Sequence, residues 1–344
     1  MIALRIGILN GGGDCAGLNA VTRGVLRGAE EYGLEVMAIK RGWAGLLDGE
    51  AERIRYSDFE ELVGAGGTAL LTSRTNPMKR KDGLLTISSN IKKMELHCLI
   101  AVGGDDTLGV AAELSKLGLN VIGVPKTIDN DLAGTDYSFG FFTAVDEAMH
   151  LIESLRTTGV SHGRVMVVEV MGRDAGWISA YAGTAAGANL IMVPEFETPL
   201  DKVVDAVKKR HNEGKRGTVI VVAEGVRLVS REGTERDEFG HELIAKTEGL
   251  SNASAIAKYI EGKTGIETRA TVLGHVIRGT SPNAYDRVMT TMLGFKAVTA
   301  ANEGRFGIMV AIRGSGIVEV PLSEGSKKKY LDSETWNILS KFFV

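Results

Sequence analysis

Cysteine is nearly absent from this chain of 344 residues: Cys15 and Cys98 are too few for a disulfide framework and fit a reducing compartment. A basic excess is absent too. The formal net charge is −3, with 24% charged residues, which gives no reason to expect nucleic acid as a partner. No apolar run reaches the length of a membrane span, so no membrane partner is expected either. The opening residues, Met1-Ile2-Ala3-Leu4-Arg5, carry no charged-then-apolar leader and no small-residue cleavage site, from which a cytoplasmic location is expected. No Cys/His set has zinc spacing, and no repeat or low-complexity segment is evident. The remainder is 44% hydrophobic and long enough for two cores.

The abundant residue is glycine, with 44 copies, nearly twice the usual share. The glycines fall at predicted strand ends, where a backbone turns sharply or approaches a ligand. A first strand over 5–10 runs into Gly11-Gly12-Gly13-Asp14-Cys15-Ala16-Gly17 and then a helical pattern over 21–32. Strand, glycine loop and helix point backbone N–H groups at a phosphate, although the spacing is neither the dinucleotide fingerprint nor the lysine-bearing P-loop. A tight βα turn has the same composition. Cys15 reads as a small packing residue. A second strand over 36–40 precedes two glycine-marked loops, 42–47 and 66–74, and Arg74 in the latter is a candidate phosphate cation or a solvated arginine.

A buried strand over 96–102, with His97 and Cys98 as core residues, empties into Gly103-Gly104-Asp105-Asp106 ahead of a helix. Paired carboxylates at a strand end suit a hydrated magnesium ion, and Asp before a helix is also a good cap. The apolar run Val121-Ile122-Gly123-Val124 ends at Pro125, which cannot donate to a ladder. It delivers Lys126-Thr127-Ile128-Asp129-Asn130-Asp131 to the C-terminal edge of the sheet, where open α/β sheets bind ligands. A carboxylate there can take a proton from a substrate hydroxyl; Asp and Asn also cap turns.

Taken together, Gly12-Gly13-Asp14, Gly103-Gly104-Asp105, Thr127-Ile128-Asp129-Asn130-Asp131, His162-Gly163-Arg164, Glu169-Val170-Met171-Gly172-Arg173, Ala223-Glu224-Gly225, Arg269 to His275, Arg278-Gly279 and Asp286-Arg287 resemble the successive signatures of the phosphofructokinase family. The resemblance covers nearly the whole chain in the family's order. It implies an α/β fold of two doubly wound, Rossmann-like parallel-sheet lobes facing across an active-site cleft. A phosphoryl-donor and magnesium lobe is expected over 1–140 plus about 277–325, and a sugar-phosphate lobe over 141–276 plus a C-terminal helix over about 326–344.

The same resemblance implies roles. Asp129 is expected as the base that deprotonates the 1-hydroxyl of fructose 6-phosphate, with Thr127, Lys126 and Arg173 around the phosphoryl in transfer. Asp105 is expected to hold Mg2+, and Asp131 to stand near it. Arg164, Arg269, His275 and Arg278 are expected at the sugar's 6-phosphate, Glu224 at its hydroxyls, and Met171 and Gly172 beneath it. Gly12, Gly13, Arg74, Gly104, Asp106 and Lys126 are expected around the donor. Arg164 and Arg269 match residues that complete a neighbouring subunit's site, which implies a homodimer or homotetramer.

The family's ATP users commonly carry glycine where this chain has Asp106 and Lys126. An Asp there fills space needed by a nucleotide's α-phosphate and ribose, and a lysine suits the terminal phosphate of pyrophosphate. Both resemble the pyrophosphate-dependent branch, whose transfer runs near equilibrium in both directions. ATP-dependent transfer is the alternative, and a non-catalytic sugar-phosphate sensor is a more distant one that retention of Asp105 and Asp129 opposes. A longer ketose phosphate such as sedoheptulose 7-phosphate presents the same 1-hydroxyl. Arg23 and Arg27 match effector-binding positions of some members and equally suit solvated cations. Further predicted elements are helices over 88–95, 141–157, 200–212, 251–264, 286–303 and 333–343. Strands are predicted over 164–170, 190–194, 218–223 and 269–275, with an exposed loop over 231–241 and a charged turn at Lys327-Lys328-Lys329.

Overall fold

The structure, a computed structural model, describes residues 4–229, 235–236, 242–243 and 250–343. In chain order the first elements are β1 (Arg5–Asn10), α1 (Leu18–Tyr32), β2 (Glu35–Ile39), α2 (Trp43–Asp48), β3 (Glu52–Ile54), α3 (Gly83–Lys93), β4 (Leu96–Gly103), α4 (Asp105–Lys116) and β5 (Val121–Pro125). There follow α5 (Phe141–His162), β6 (Val165–Val170), α6 (Trp177–Ala185), β7 (Leu190–Met192), α7 (Leu200–Asn212) and β8 (Thr218–Ala223). A two-residue ribbon of β9 (Glu235–Arg236) and β10 (Glu242–Leu243) precedes α8 (Asn252–Thr264) and β11 (Thr268–Val272). The chain ends with α9 (Ala284–Asn302), β12 (Ile308–Arg313), β13 (Gly316–Pro321) and α10 (Ser333–Leu339). Apart from β9, the predicted loop over 231–241 lies outside the described residues.

The chain forms two compact units, one of residues 1–143 and 278–329 and the other of residues 144–277 and 330–344. The first holds a seven-stranded sheet in the order β13-β12-β5-β4-β1-β2-β3. Its five inner strands pair in parallel, and the two edge strands, β3 and β13, run antiparallel to their neighbours. Strands β4 and β5 are apolar almost throughout because helices cover both faces. Register pairs Asn10 with Val102 and Gly103 with Pro125, so the turns after β1, β4 and β5 leave side by side at one edge. The chain reverses direction across the sheet between β1 and β4, where such sheets form a ligand crevice. The second unit holds a parallel four-stranded sheet, β11-β6-β8-β7, over a core of Val167, Met192, Ile220, Ile256 and their neighbours.

Several predicted elements need correction. Residues 42–47 are not a loop: Trp43–Asp48 is helical, with Trp43 and Leu46 buried, and Gly45 fits because a Cβ there would lie 1.9 Å from the Lys40 carbonyl oxygen. The predicted strand over 269–275 ends at Val272, and His275 sits in the 3-10 turn Gly274–Ile277. The final helix stops at Leu339 and tightens into a 3-10 turn. Helix α6 and the β12–β13 hairpin went unpredicted, the latter adding the antiparallel edge.

Helices α1 and α9 cross at glycines. A Cβ on Gly24 would lie 2.2 Å from the Thr291 carbonyl oxygen, and one on Gly294 2.2 Å from that of Val21. Gly24→Ala gains about 1 kcal/mol of helix propensity but forces the helices apart, at a cost of about 1–3 kcal/mol. Gly262, in α8, has open space around its Cβ position. We expect Gly24→Ala to lower the melting temperature by several degrees and Gly262→Ala to raise it slightly, as read by circular dichroism; two shifts of the same sign would contradict the packing.

Candidate active site

The first unit gathers eleven of the predicted residues at the exits of β1, β4 and β5: Gly12, Gly13, Arg74, Gly104, Asp105, Asp106, Lys126, Thr127, Asp129, Asp131 and Arg278. The loop after β1 is tied down by the 72–73 segment: Gly12 N donates to the Ser73 carbonyl at 2.9 Å and Thr72 Oγ1 donates to the Gly12 carbonyl at 2.7 Å. Arg74 follows, exposed. Lys126 Nζ donates to the Gly13 carbonyl at 2.6 Å, and Arg278 Nη1 donates to the Asp14 carbonyl at 2.8 Å. A Cβ at position 13 would lie 2.1 Å from Arg278 Nη1, so a larger residue there would push the guanidinium off the Asp14 carbonyl. Two predicted cations, 113 and 264 residues along the chain from the carbonyls they meet, therefore brace the glycine loop.

Lys126 is buried, and burial pushes its ammonium below the ordinary lysine range, with Cys15 and Asp129 opposing. Burial pushes the Cys15 thiol up to about 12, so it is an inert packing group, as the sequence suggested. Cys98 is likewise buried, whereas His97 is only half-buried, against the Phe306 ring at 5.7 Å.

The turn after β5 is held by its own polar groups. Thr127 Oγ1 accepts from Asp129 N at 3.2 Å, and Ser138 Oγ donates to the Thr127 carbonyl at 2.7 Å. Asn130 adopts a left-handed backbone, φ 51°, and its Oδ1 accepts from Ser138 N at 3.1 Å. Asp129 is half-buried, while Asn130 and Asp131 are buried. Across from this turn, Gly104 caps α4, whose first turn carries Asp105 and the exposed Asp106; Asn76 Nδ2 donates to Asp106 Oδ1 at 3.4 Å.

Sequence reading missed the two lysines that reach this turn. The segment after the 3-10 turn Leu322–Ser326 pairs antiparallel with 131–133, through Ala133 N to the Lys327 carbonyl at 3.0 Å and Lys329 N to the Asp131 carbonyl at 2.8 Å. Lys329 Nζ donates to Asn130 Oδ1 and to the Thr135 and Asp136 carbonyls; burial lowers it to about 8, with Asp136 and Asp131 opposing. Lys328 Nζ lies 2.6 Å from Asp131 Oδ2 and 3.0 Å from Asp105 Oδ2. Partial burial opposes its charge, but these carboxylates outweigh burial and hold it above the ordinary lysine range. Only a lysine-rich run hinted at these contacts.

Among the described residues, no group of three or more His, Cys, Asp or Glu is placed to hold a metal ion. Magnesium needs no such cage: it keeps several waters and uses one or two carboxylates with substrate phosphates. The partly exposed Asp105 carboxylate at the N-terminus of α4, with Asp131 within reach of the same ammonium, fits that mode.

The second unit carries the remaining predicted residues at both edges of its sheet. Met171, Gly172 and Arg173 follow β6, Glu224 follows β8, and the exposed His275 lies just beyond β11. Arg173 Nη2 pairs with Asp174 Oδ2 at 3.3 Å. Arg164 precedes β6 and Arg269 is the second residue of β11, so both belong to the N-terminal edge, roughly 20 Å of strand away from Met171. They converge on Glu267: Arg164 Nε lies 2.8 Å from its Oε2, and Arg269 Nη2 pairs with its Oε1. The hydrogen bond from Arg164 holds the Glu267 carboxyl below its usual range. Asn252, unremarked in the sequence, is buried and its Nδ2 reaches the Ala223, Glu224 and Val226 carbonyls at 3.4, 3.0 and 2.9 Å, fixing the turn that carries Glu224.

Comparison with known proteins bears on the family. A family model described as phosphofructokinase matches residues 5–301. A pyrophosphate–fructose 6-phosphate 1-phosphotransferase from Amycolatopsis methanolica is 48% identical, covering 99% of this chain and 100% of its own. An ATP-dependent 6-phosphofructokinase from Spirochaeta thermophila is 41% identical, covering 94% of this chain and 91% of its own. The phosphofructokinase of Pichia pastoris in the T-state superposes with a TM-score of 0.83 at 30% identity; the match covers 99% of this chain but only 36% of that longer one.

Removing the Asn252 amide takes a donor from the Glu224 and Val226 carbonyls, while the Ala223 carbonyl keeps the Val226 N–H at 3.1 Å; each group left unsatisfied costs about 1–3 kcal/mol. Asn252→Ala is expected to lower the melting temperature by about 2–4 °C per kcal/mol lost, and to loosen the turn after β8. An unchanged melting curve would show that these bonds hold nothing in place.

Proposed function

Because the chain belongs to the phosphofructokinase family, we propose that it transfers a phosphoryl group from pyrophosphate to the 1-hydroxyl of fructose 6-phosphate, giving fructose 1,6-bisphosphate and orthophosphate. The observation that carries the choice of donor is Asp106, exposed on the first turn of α4 directly beside Asp105. A carboxylate in that position occupies room that a nucleotide's α-phosphate and ribose need, and its charge repels the phosphate. Buried Lys126, anchored on the Gly13 carbonyl, supplies a compact cation for a terminal phosphate. ATP is the second reading, favoured by the 41% identity to an ATP-dependent relative. With pyrophosphate as donor the reaction runs near equilibrium in both directions.

In this reading Asp129 takes the proton of the 1-hydroxyl as its oxygen attacks the donor phosphorus and the bond to the leaving orthophosphate breaks. Thr127 and Lys126 hold oxygens of the phosphoryl in transfer, and Arg173 steadies the charge that develops on it. Asp105, with Asp131 beside it, would hold Mg2+, which when bound would supply charge neutralisation on the donor oxygens. Gly12, Gly13, Gly104 and Arg74 frame the donor. Glu224, Met171 and Gly172 seat the sugar, and Arg278 and His275 take its 6-phosphate together with Arg164 and Arg269. Those last two sit at the opposite sheet edge from Glu224, which supports a homo-oligomer in which a second copy supplies them. The two free, buried cysteines fit a cytoplasmic setting, and no helix among the described residues is long and apolar enough to cross a membrane.

Fructose 1,6-bisphosphate formation, followed with pyrophosphate and ATP in parallel, tests this. We expect activity with pyrophosphate and magnesium, loss on adding EDTA, and gain of ATP use in Asp106→Gly. Activity with ATP alone would remove Asp106 and Lys126 from the donor assignment. Silence with both donors in folded protein would end the sugar assignment. Asp129→Asn keeps the size of the side chain and removes its basicity, and should lower kcat by about 10²–10⁴-fold with little change in the KM for fructose 6-phosphate. A kcat within a few fold of the parent would rule Asp129 out as the base.

A further inference from the structure

Lys328 reaches the turn by a route that leaves its position little freedom. Backbone pairing of 327–329 with 131–133 fixes its Cα opposite Leu132, one residue along from Asp131, and the side chain is about three-quarters buried, 24% exposed. Its ammonium contacts one oxygen from each of two carboxylates that leave different strands, Asp105 after β4 and Asp131 after β5. Asp131 is almost wholly buried, at 8% side-chain exposure, so its charge has little water to stabilise it. Two carboxylates brought this close repel one another unless a cation stands between them, and a hydrated divalent ion would serve as well as an ammonium.

We propose that Lys328 is a positioning residue of the donor site, a resident cation that bridges Asp105 and Asp131 and occupies, in the donor-free protein, the place where a free divalent ion would otherwise be captured. The inference rests on the reading of Asp105 as the magnesium carboxylate. The bridge keeps Asp105 aimed at the exit of β4 and offsets one of the two carboxylate charges while an anionic donor approaches. Metal then enters with the donor, whose phosphate oxygens provide the ligands that the protein does not. An ammonium suits this because it is singly charged and hydrated, and is displaced from one carboxylate without leaving the other. Lys329 has a different duty: it donates to the Asn130 side chain and to the Thr135 and Asp136 carbonyls, and so closes the turn.

Lys328→Met removes the charge and keeps most of the length; Lys328→Arg restores a cation. Mn2+ binding to donor-free protein, read by electron paramagnetic resonance, separates the proposal from a structural clasp. We expect Lys328→Met to bind Mn2+ at least about tenfold more tightly than the parent, because a positive charge within a few ångströms of the ion has gone. The KM for magnesium pyrophosphate should rise about tenfold while that for fructose 6-phosphate stays within about twofold, and Lys328→Arg should recover both parental values. Unchanged Mn2+ affinity, or two KM values rising together, would overturn the proposal. If the methionine variant does not fold, Lys328→Gln keeps a hydrogen-bonding group without charge, and Mn2+ affinity equal to the parent's would overturn it there. The Mn2+ measurement needs no turnover, so a parent protein inactive with both donors would defeat the proposed reaction while this experiment still decides the role of Lys328.

Discussion

Carboxylates and ammonium groups crowd the C-terminal edge of β4 and β5, and the first unit depends on their balance. Four acidic residues leave those two strands: Asp105 and Asp106 after β4, and Asp129 and Asp131 after β5. Such a cluster is stable only with positive charge close by, since burial raises the cost of each ionised group. The compensation comes in layers. The N-terminus of α4 favours Asp105 and Asp106 through its unsatisfied N–H groups and dipole. Lys126 lies beneath the glycine loop, and Lys328 bridges the two strand exits. None of these cations is a freely solvated surface lysine; each is held by the backbone it touches or the backbone that delivers it.

That balance exists because of sheet register. Gly103 opposite Pro125 and Asn10 opposite Val102 make three turns begin at the same height, so a lysine from one can reach a carbonyl of another without a long loop. Proline at the end of β5 stops the ladder there, and the glycines after β1 and β4 let the backbone bend before a side chain intervenes. The carbonyl groups that accept from Lys126 and Arg278 belong to that glycine loop. Charge placement is thus a consequence of where apolar strands end, which is a local property of the sequence.

This explains what could be read from the chain and what could not. Strands β4 and β5 and the turns after them were legible because unbroken apolar runs stop at Gly-Gly and Pro. Asp105, Asp129 and Lys126 sit within a few residues of those stops. The α2 helix was misread as a loop because its glycines signal turns, whereas Gly45 serves a close approach to the Lys40 carbonyl. The β12–β13 hairpin was overlooked between stronger helical patterns. Lys328 and Asn252 were invisible for a different reason. Lys328 meets Asp131 across 197 residues, and Asn252 meets Glu224 across 28, so neither contact leaves a local pattern of period or spacing.

In the second unit the same logic divides the cations rather than gathering them. A strand of six residues separates Arg164 from the turn that carries Met171 and Gly172, and β11 places Arg269 at the same far edge, with Glu267 between the two guanidinium groups. A carboxylate that pairs with two arginines keeps them extended and preformed, and it neutralises only part of their charge. Arg269 remains half exposed on an edge strand whose Val272 also faces outward. An edge strand carrying preformed arginines suits an anion brought by another surface, because the sheet that holds them cannot also turn them back toward its own C-terminal turns.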